Sequence, residues 1–135
     1  MIIGNRRSNV YPLEQRLKFT PSDVDILCMD AETYTITTIE DEFSCERNVA
    51  ELLPVLFGKG YTVYGVEHKP NQLVPYHVHP SQEIAIVLRG KMRYIIEEEI
   101  VDIGEGEVIH ILASAVHATV SIADTGDSHL LITFV

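Results

Sequence analysis

Tryptophan is absent from this chain of 135 residues, cysteine occurs twice, and lysine and arginine together number 10 against 20 aspartates and glutamates. Each shortage excludes something. Cys28 and Cys45 form no Cys-x-x-Cys pair, which argues against a zinc ribbon and a thioredoxin-type redox motif, and two cysteines do not make a disulfide scaffold. They read as idle thiols in a reducing compartment, so a cytoplasmic location is expected. A net charge of −10 leaves no basic face for phosphates, so no nucleic-acid partner is expected. No apolar run approaches the ~20 residues that span a bilayer. The opening segment, with Arg6 and Arg7, is not followed by the long apolar stretch of a secretory signal, and no membrane partner is expected. A serine–histidine–aspartate order, a phosphate-binding glycine loop and a nucleotide motif are also missing.

What is present fits one globular domain, with 46% hydrophobic and 22% charged residues. Residues 1–22 carry Arg6, Arg7, Arg16 and Lys18, with Pro12 and Pro21 to break any long helix, and read as an extended N-terminal arm. Residues 23–135 read as a single domain. Val24–Met29 and the Thr-, Tyr- and Ile-rich run Ala31–Glu40 are expected strands, with Asp41–Cys45 a polar connection. Asn48 followed by Glu51 is a capping pattern, and Val49, Leu52, Leu53 and Leu56 recur at helical spacing. This predicts one short helix, of one or two turns, broken near Leu53 by Pro54 and stopped at Gly58. From Tyr61 the period becomes two. Expected strands run Tyr61–Lys69, Leu73–His79, Glu83–Arg89, Lys91–Glu97, Ile100–Ile103, Val108–Leu112, His117–Ala123 and His129–Val135. Short strands separated by Gly, Pro and Asp turns every ~8–12 residues predict an all-β sandwich or barrel, and the lack of alternating long helices argues against a parallel α/β sheet.

Asn71–Gly90 carries the chemistry. One residue separates His77 from His79, so on a strand both imidazoles share a face, roughly 6.6 Å apart along the backbone. That gap suits two nitrogens converging on one cation at about 2.0–2.2 Å each. Such a pair also occurs as two exposed histidines beside a hairpin. Pro80 and Ser81 predict a turn, and Glu83 opens an apolar run expected to pair back beside the histidine strand, where its carboxylate can reach the same cation. His117, after Gly106-Glu107-Val108-Ile109-His110, is a fourth candidate ligand.

His77-x-His79, then three residues, Glu83, six residues and Gly90, resembles the first motif of the cupins, and Gly106 through His117 resembles the second in spacing. The resemblance covers about residues 61–135. The leading glycine of the first motif falls on Asn71; in the second, the proline falls on Leu112, the second glycine on Ser114 and the closing asparagine on Ser121. Those departures touch turns and leave the ligand positions intact. The resemblance implies a double-stranded β-helix, the jelly-roll barrel, over the domain 23–135. It also implies a divalent metal held by His77, His79, Glu83 and His117.

Three imidazoles and a carboxylate accept Fe, Mn, Ni, Zn or Cu. An octahedral ion would keep positions for a small chelating ligand, whereas a tetrahedral zinc would be closed and structural. Met92, Tyr94 and Ile96 share a strand face; Tyr94 is a candidate acid or base, or a core tyrosine with one hydrogen bond. His68, Met92, Tyr94 and His110 are the candidate cavity residues. The implied activities are those of a metal-dependent enzyme of dioxygenase, lyase or isomerase type. Alternatives are a non-catalytic binding or sensing module and a structural zinc protein. A homodimer is expected, because outward-facing Ile95 needs cover.

Overall fold

Side chains that alternate between buried and exposed build two antiparallel sheets in the computed structural model, which describes residues 33–124 and 126–135. The expected arm 1–22 and the strand Val24–Met29 lie outside the described residues. The described compact unit is Tyr34–Val135. Its elements are β1 (Tyr34–Thr38), α1 (Ile39–Phe43), α2 (Val49–Gly58), β2 (Tyr64–His68), β3 (Leu73–His77), β4 (Glu83–Arg89), β5 (Lys91–Ile96), β6 (Glu99–Gly104), β7 (Glu107–Ile111), β8 (His117–Ser121) and β9 (Ser128–Phe134). One sheet has the order β1-β7-β4-β9-β2 and the other β3-β8-β5-β6. They face each other as the expected jelly roll. Among the described residues, no helix is long and apolar enough to cross a membrane.

Two cores follow from strand alternation. Ala85, Val87, Met92, Tyr94, Ile96, Ile103, Ile109, Ile111, Ala115 and Leu130 form one cluster, to which both sheets contribute. Ile84, Ile86, Val108 and Leu131 project from the other face of the five-stranded sheet, against Ile39 and Phe43 of α1 and Leu52 and Leu56 of α2. Central strand β4 is therefore buried on both faces, which is why its sequence reads as an unbroken apolar run. Odd-numbered residues of β4 face the first cluster, and Glu83 shares their parity.

The structure corrects four expectations about elements. The run Ala31–Glu40 does not stay extended to its end: Ile39 starts α1, where a polar connection was expected to follow. The Thr38 side chain caps α1 by accepting from Asp41 N at 3.1 Å, and Ile39 and Phe43, four apart, both enter the core. Second, α2 runs unbroken through Pro54, capped by Asn48, whose side chain accepts from Glu51 N at 2.9 Å. An interior proline costs ~3 kcal/mol; complete burial of Leu52 and Leu56 offsets it. Third, β3 ends at His77 rather than His79; its register against β8 shifts between Val74 and His77, and His79 lies in the loop that follows. Fourth, β4 does not pair beside β3. Residues 78–82 carry the chain across to the other sheet, where β4 lies between β7 and β9.

Candidate metal centre

Three strands and one loop supply the cluster. His77 ends β3 and lies opposite His117, the first residue of β8, in the antiparallel register; their rings are 4.3 Å apart. His79 follows in the loop, where its carbonyl accepts from Ser114 N at 2.9 Å, and its ring lies 4.7 Å from that of His77. Glu83 comes from the opposite sheet. One ligand atom from each of His77, His79, Glu83 and His117 lies within 4.8 Å of all the others, with Glu83 and His117 buried.

Hydrogen bonds set which nitrogens point inward. His77 Nδ1 lies 2.8 Å from Pro75 O, and His117 Nδ1 lies 2.9 Å from Ala115 O. A carbonyl only accepts, so each Nδ1 is assigned the proton, and in the neutral ring Nε2 offers its lone pair. Backbone carbonyls orient metal-binding histidines in this way. His117 Nε2 and His79 Nε2 sit 3.2 and 3.1 Å from the same Glu83 Oε1. A lone pair facing a carboxylate oxygen is repulsive unless a proton or a cation lies between them. The donor set therefore fits a divalent ion.

Without a cation, the surroundings favour a second proton on His117 over one on His79. Burial pulls His117 down, but Glu83 and the Ala115 carbonyl pull it up further, and it stays above the ordinary imidazole value. His79 goes the other way: burial outweighs the attraction of Glu83 and holds it below that value.

Beside the cluster lies a half-open cavity of about 170 Å³. Val66, Val74, Ile132 and Phe134 form its apolar wall; His68, Tyr94 and Thr119 are its polar lining beyond the four clustered residues. Tyr94 is buried to 1% exposure. Burial and the nearby Glu83 charge push its phenol well above the ordinary value, against a hydrogen bond with Thr119. It stays protonated, and because Thr119 gives its own hydrogen to Arg93 O, the phenol hydrogen goes to Thr119, which does not suit a general base.

Of the cavity candidates, His68 and Tyr94 line the cavity, whereas Met92 and His110 do not. Met92 is fully buried in the first core cluster. His110 shares a face with Val108, and that face turns to the helices: its Nε2 lies 2.7 Å from Glu42 of α1 and its Nδ1 2.9 Å from Gln82. Sequence reasoning missed Thr119 and Phe134. Thr119 was legible, being two residues beyond His117 on one strand and hence on the same face. Phe134 was not: it reaches the site because it pairs with Glu83 across β4 and β9 and packs its ring 4.9 Å from that of His79.

A family model described as "Cupin domain" matches residues 65–134, more than half of the chain. Among curated proteins nothing matches. Among solved structures, a cupin 2 domain-containing protein from Halorhodospira halophila superposes with a TM-score of 0.50 at 12% identity, covering 55% of this chain and 50% of that one. The match thus spans about half of that relative's length. A protein described as a predicted oxalate decarboxylase from Thermotoga maritima gives 0.51 at 18% identity, covering 58% of this chain and 70% of its own. At these identities the structures speak for the fold alone, and they agree with the family match and with the two facing sheets. The chain belongs to the cupin family.

Proposed function

We propose that this chain is a metal-dependent enzyme acting on a small oxygen-chelating molecule. His77, His79, Glu83 and His117 hold the divalent ion, and the adjoining cavity receives the substrate. One observation carries the reading: four ligand-type side chains from both sheets converge within 4.8 Å, with carbonyls fixing the rings of His77 and His117. A divalent ion there would polarise an oxygen of a chelating ligand. With one carboxylate and three neutral imidazoles, the loaded site carries a net charge of about +1, which favours an anionic oxygen even on an acidic protein. The apolar wall excludes water.

A structural zinc role is the second reading, favoured by Glu83 standing on one sheet while His77 and His117 stand on the other. Elemental mass spectrometry of freshly purified protein tests the shared premise. About one ion of Fe, Mn, Ni, Zn or Cu per chain is expected, and Glu83→Ala with His117→Ala should lose it. No metal after purification and reloading would sink both readings. Oxygen uptake and product release with a panel of small chelating acids, oxalate among them, then separates an enzyme from a braced barrel.

A further inference from the structure

His68 closes β2 opposite Ser128 of β9, at 6% exposure, and lines the cavity. Its Nδ1 is buried with no hydrogen-bond partner among the described residues. Buried polar atoms are nearly always paired, and one left alone costs free energy in the protein without ligand. The other polar lining groups are occupied. Thr119 donates to Arg93 O at 3.1 Å and bonds Tyr94, while His77 and His117 bond backbone carbonyls. His68 is thus the unpaired polar side chain in a largely apolar cavity.

We propose that His68 determines the specificity of this cavity by hydrogen-bonding a hydroxyl group on a small, mainly apolar ligand seated against Val66, Ile132 and Phe134. A neutral imidazole offers one donor and one acceptor, and a hydroxyl complements either tautomer. Burial keeps this ring below its ordinary value, against the pull of Glu83, which is consistent with the neutral form. The volume, about 170 Å³, sets the size of the part of the ligand that enters this half-open cavity. An enclosed cavity of ~150 Å³ admits benzene, so the part that enters is a single ring or a short branched chain. The inference deepens the proposed function by naming the end of the substrate that faces away from the chelating oxygens. It rests on reading this cavity as the substrate site, but not on the metal.

The test compares phenol with fluorobenzene, equal in heavy atoms and differing in the hydroxyl. Both are titrated by two-dimensional NMR into the metal-free and the zinc-loaded full chain. The expected result is phenol binding at least ~5-fold tighter than fluorobenzene. That ratio should fall to within about twofold in His68→Leu and be partly kept in His68→Gln. His68→Leu should also raise Tm by roughly a few degrees, because a buried polar group without a partner is removed. A histidine that merely supported the fold would lower it. Equal binding of the two probes, no binding of either, or a phenol preference that survives His68→Leu overturns the proposal. If zinc fails to bind but the hydroxyl preference depends on His68, the metal reading falls and this inference stands.

Discussion

His117 controls how a metal competes with protons. Its ring is held above the ordinary imidazole value, against burial, by the Glu83 carboxylate and the Ala115 carbonyl. A metal must displace that proton from Nε2, so affinity should fall as pH drops through and below the raised range of His117. One competing proton gives a limiting slope of about tenfold per pH unit. Zinc titration calorimetry at pH 6, 7 and 8 checks this, and a flat affinity would show that His117 is not a ligand. The metal-free protein gives the matching sign. A histidine raised on folding contributes stability that is complete below its unfolded value of about 6.5 and is lost as pH rises through its folded value. His79 is lowered and works in the opposite direction, so wild type is compared with Glu83→Gln. The pH-dependent part of the wild type's advantage in Tm should be largest near pH 6 and shrink towards pH 8. At this scale His77, His79, Glu83 and His117 were legible because their order and spacing resemble the two cupin motifs. The side to which His110 turns was not, because alternation gives a face and only strand pairing says what that face meets.

At the scale of elements, two positions where a cupin motif places glycine keep a left-handed backbone while carrying a side chain. Asn71 has φ 64° and Ser114 φ 67°, both left-handed. Asn tolerates that region, whereas Ser does so at a cost of ~1–2 kcal/mol. Ser114→Gly should therefore stabilise the protein by up to about 1 kcal/mol, after allowing for the greater freedom of glycine in the unfolded chain. Urea unfolding measures this, and destabilisation would mean that the Ser114 side chain contributes something its backbone does not reveal. The Ser114 N–H bond to the His79 carbonyl should survive, since it needs only the backbone. Helix α2 shows the opposite balance. Its Pro54 is tolerated because Leu52 and Leu56 are wholly buried, so Leu52→Ala should cost about 2–5 kcal/mol and lower helical circular dichroism. Retention of full helicity and stability would show that α2 does not depend on that burial. The strands from Tyr64 onward were legible from alternation and turns, with ends off by a few residues. Helix α1 was hidden because Thr35, Ile36, Thr37 and Thr38 favour extended chain, whereas the turn that follows is decided by the Thr38 cap and by where Ile39 and Phe43 find cover.

For the whole molecule, pairing order decides what an ion can do. Sequence adjacency placed Glu83 beside the histidine strand; the fold sends β4 to the other sheet, so Glu83 faces the imidazoles across the barrel mouth. An ion bound by all four ligands therefore ties one sheet to the other. At about 100 times its Kd, such an ion adds ~2.7 kcal/mol and should raise Tm on the order of 10 °C. Thermal unfolding with zinc, with magnesium and with chelator measures it. The controls follow from charge. A chain with net charge −10 attracts any divalent cation to its surface, which alone gives some stabilisation. Magnesium shares that general attraction but prefers oxygen ligands, so it should raise Tm only slightly, whereas zinc, which takes imidazole readily, should give the full shift. Glu83→Ala keeps three histidines on one side of the barrel and removes the bridge. Its zinc shift should fall below about half of the wild type's, even at saturating metal. If that variant keeps the whole zinc shift, the ion is held by the histidines alone and does not join the sheets.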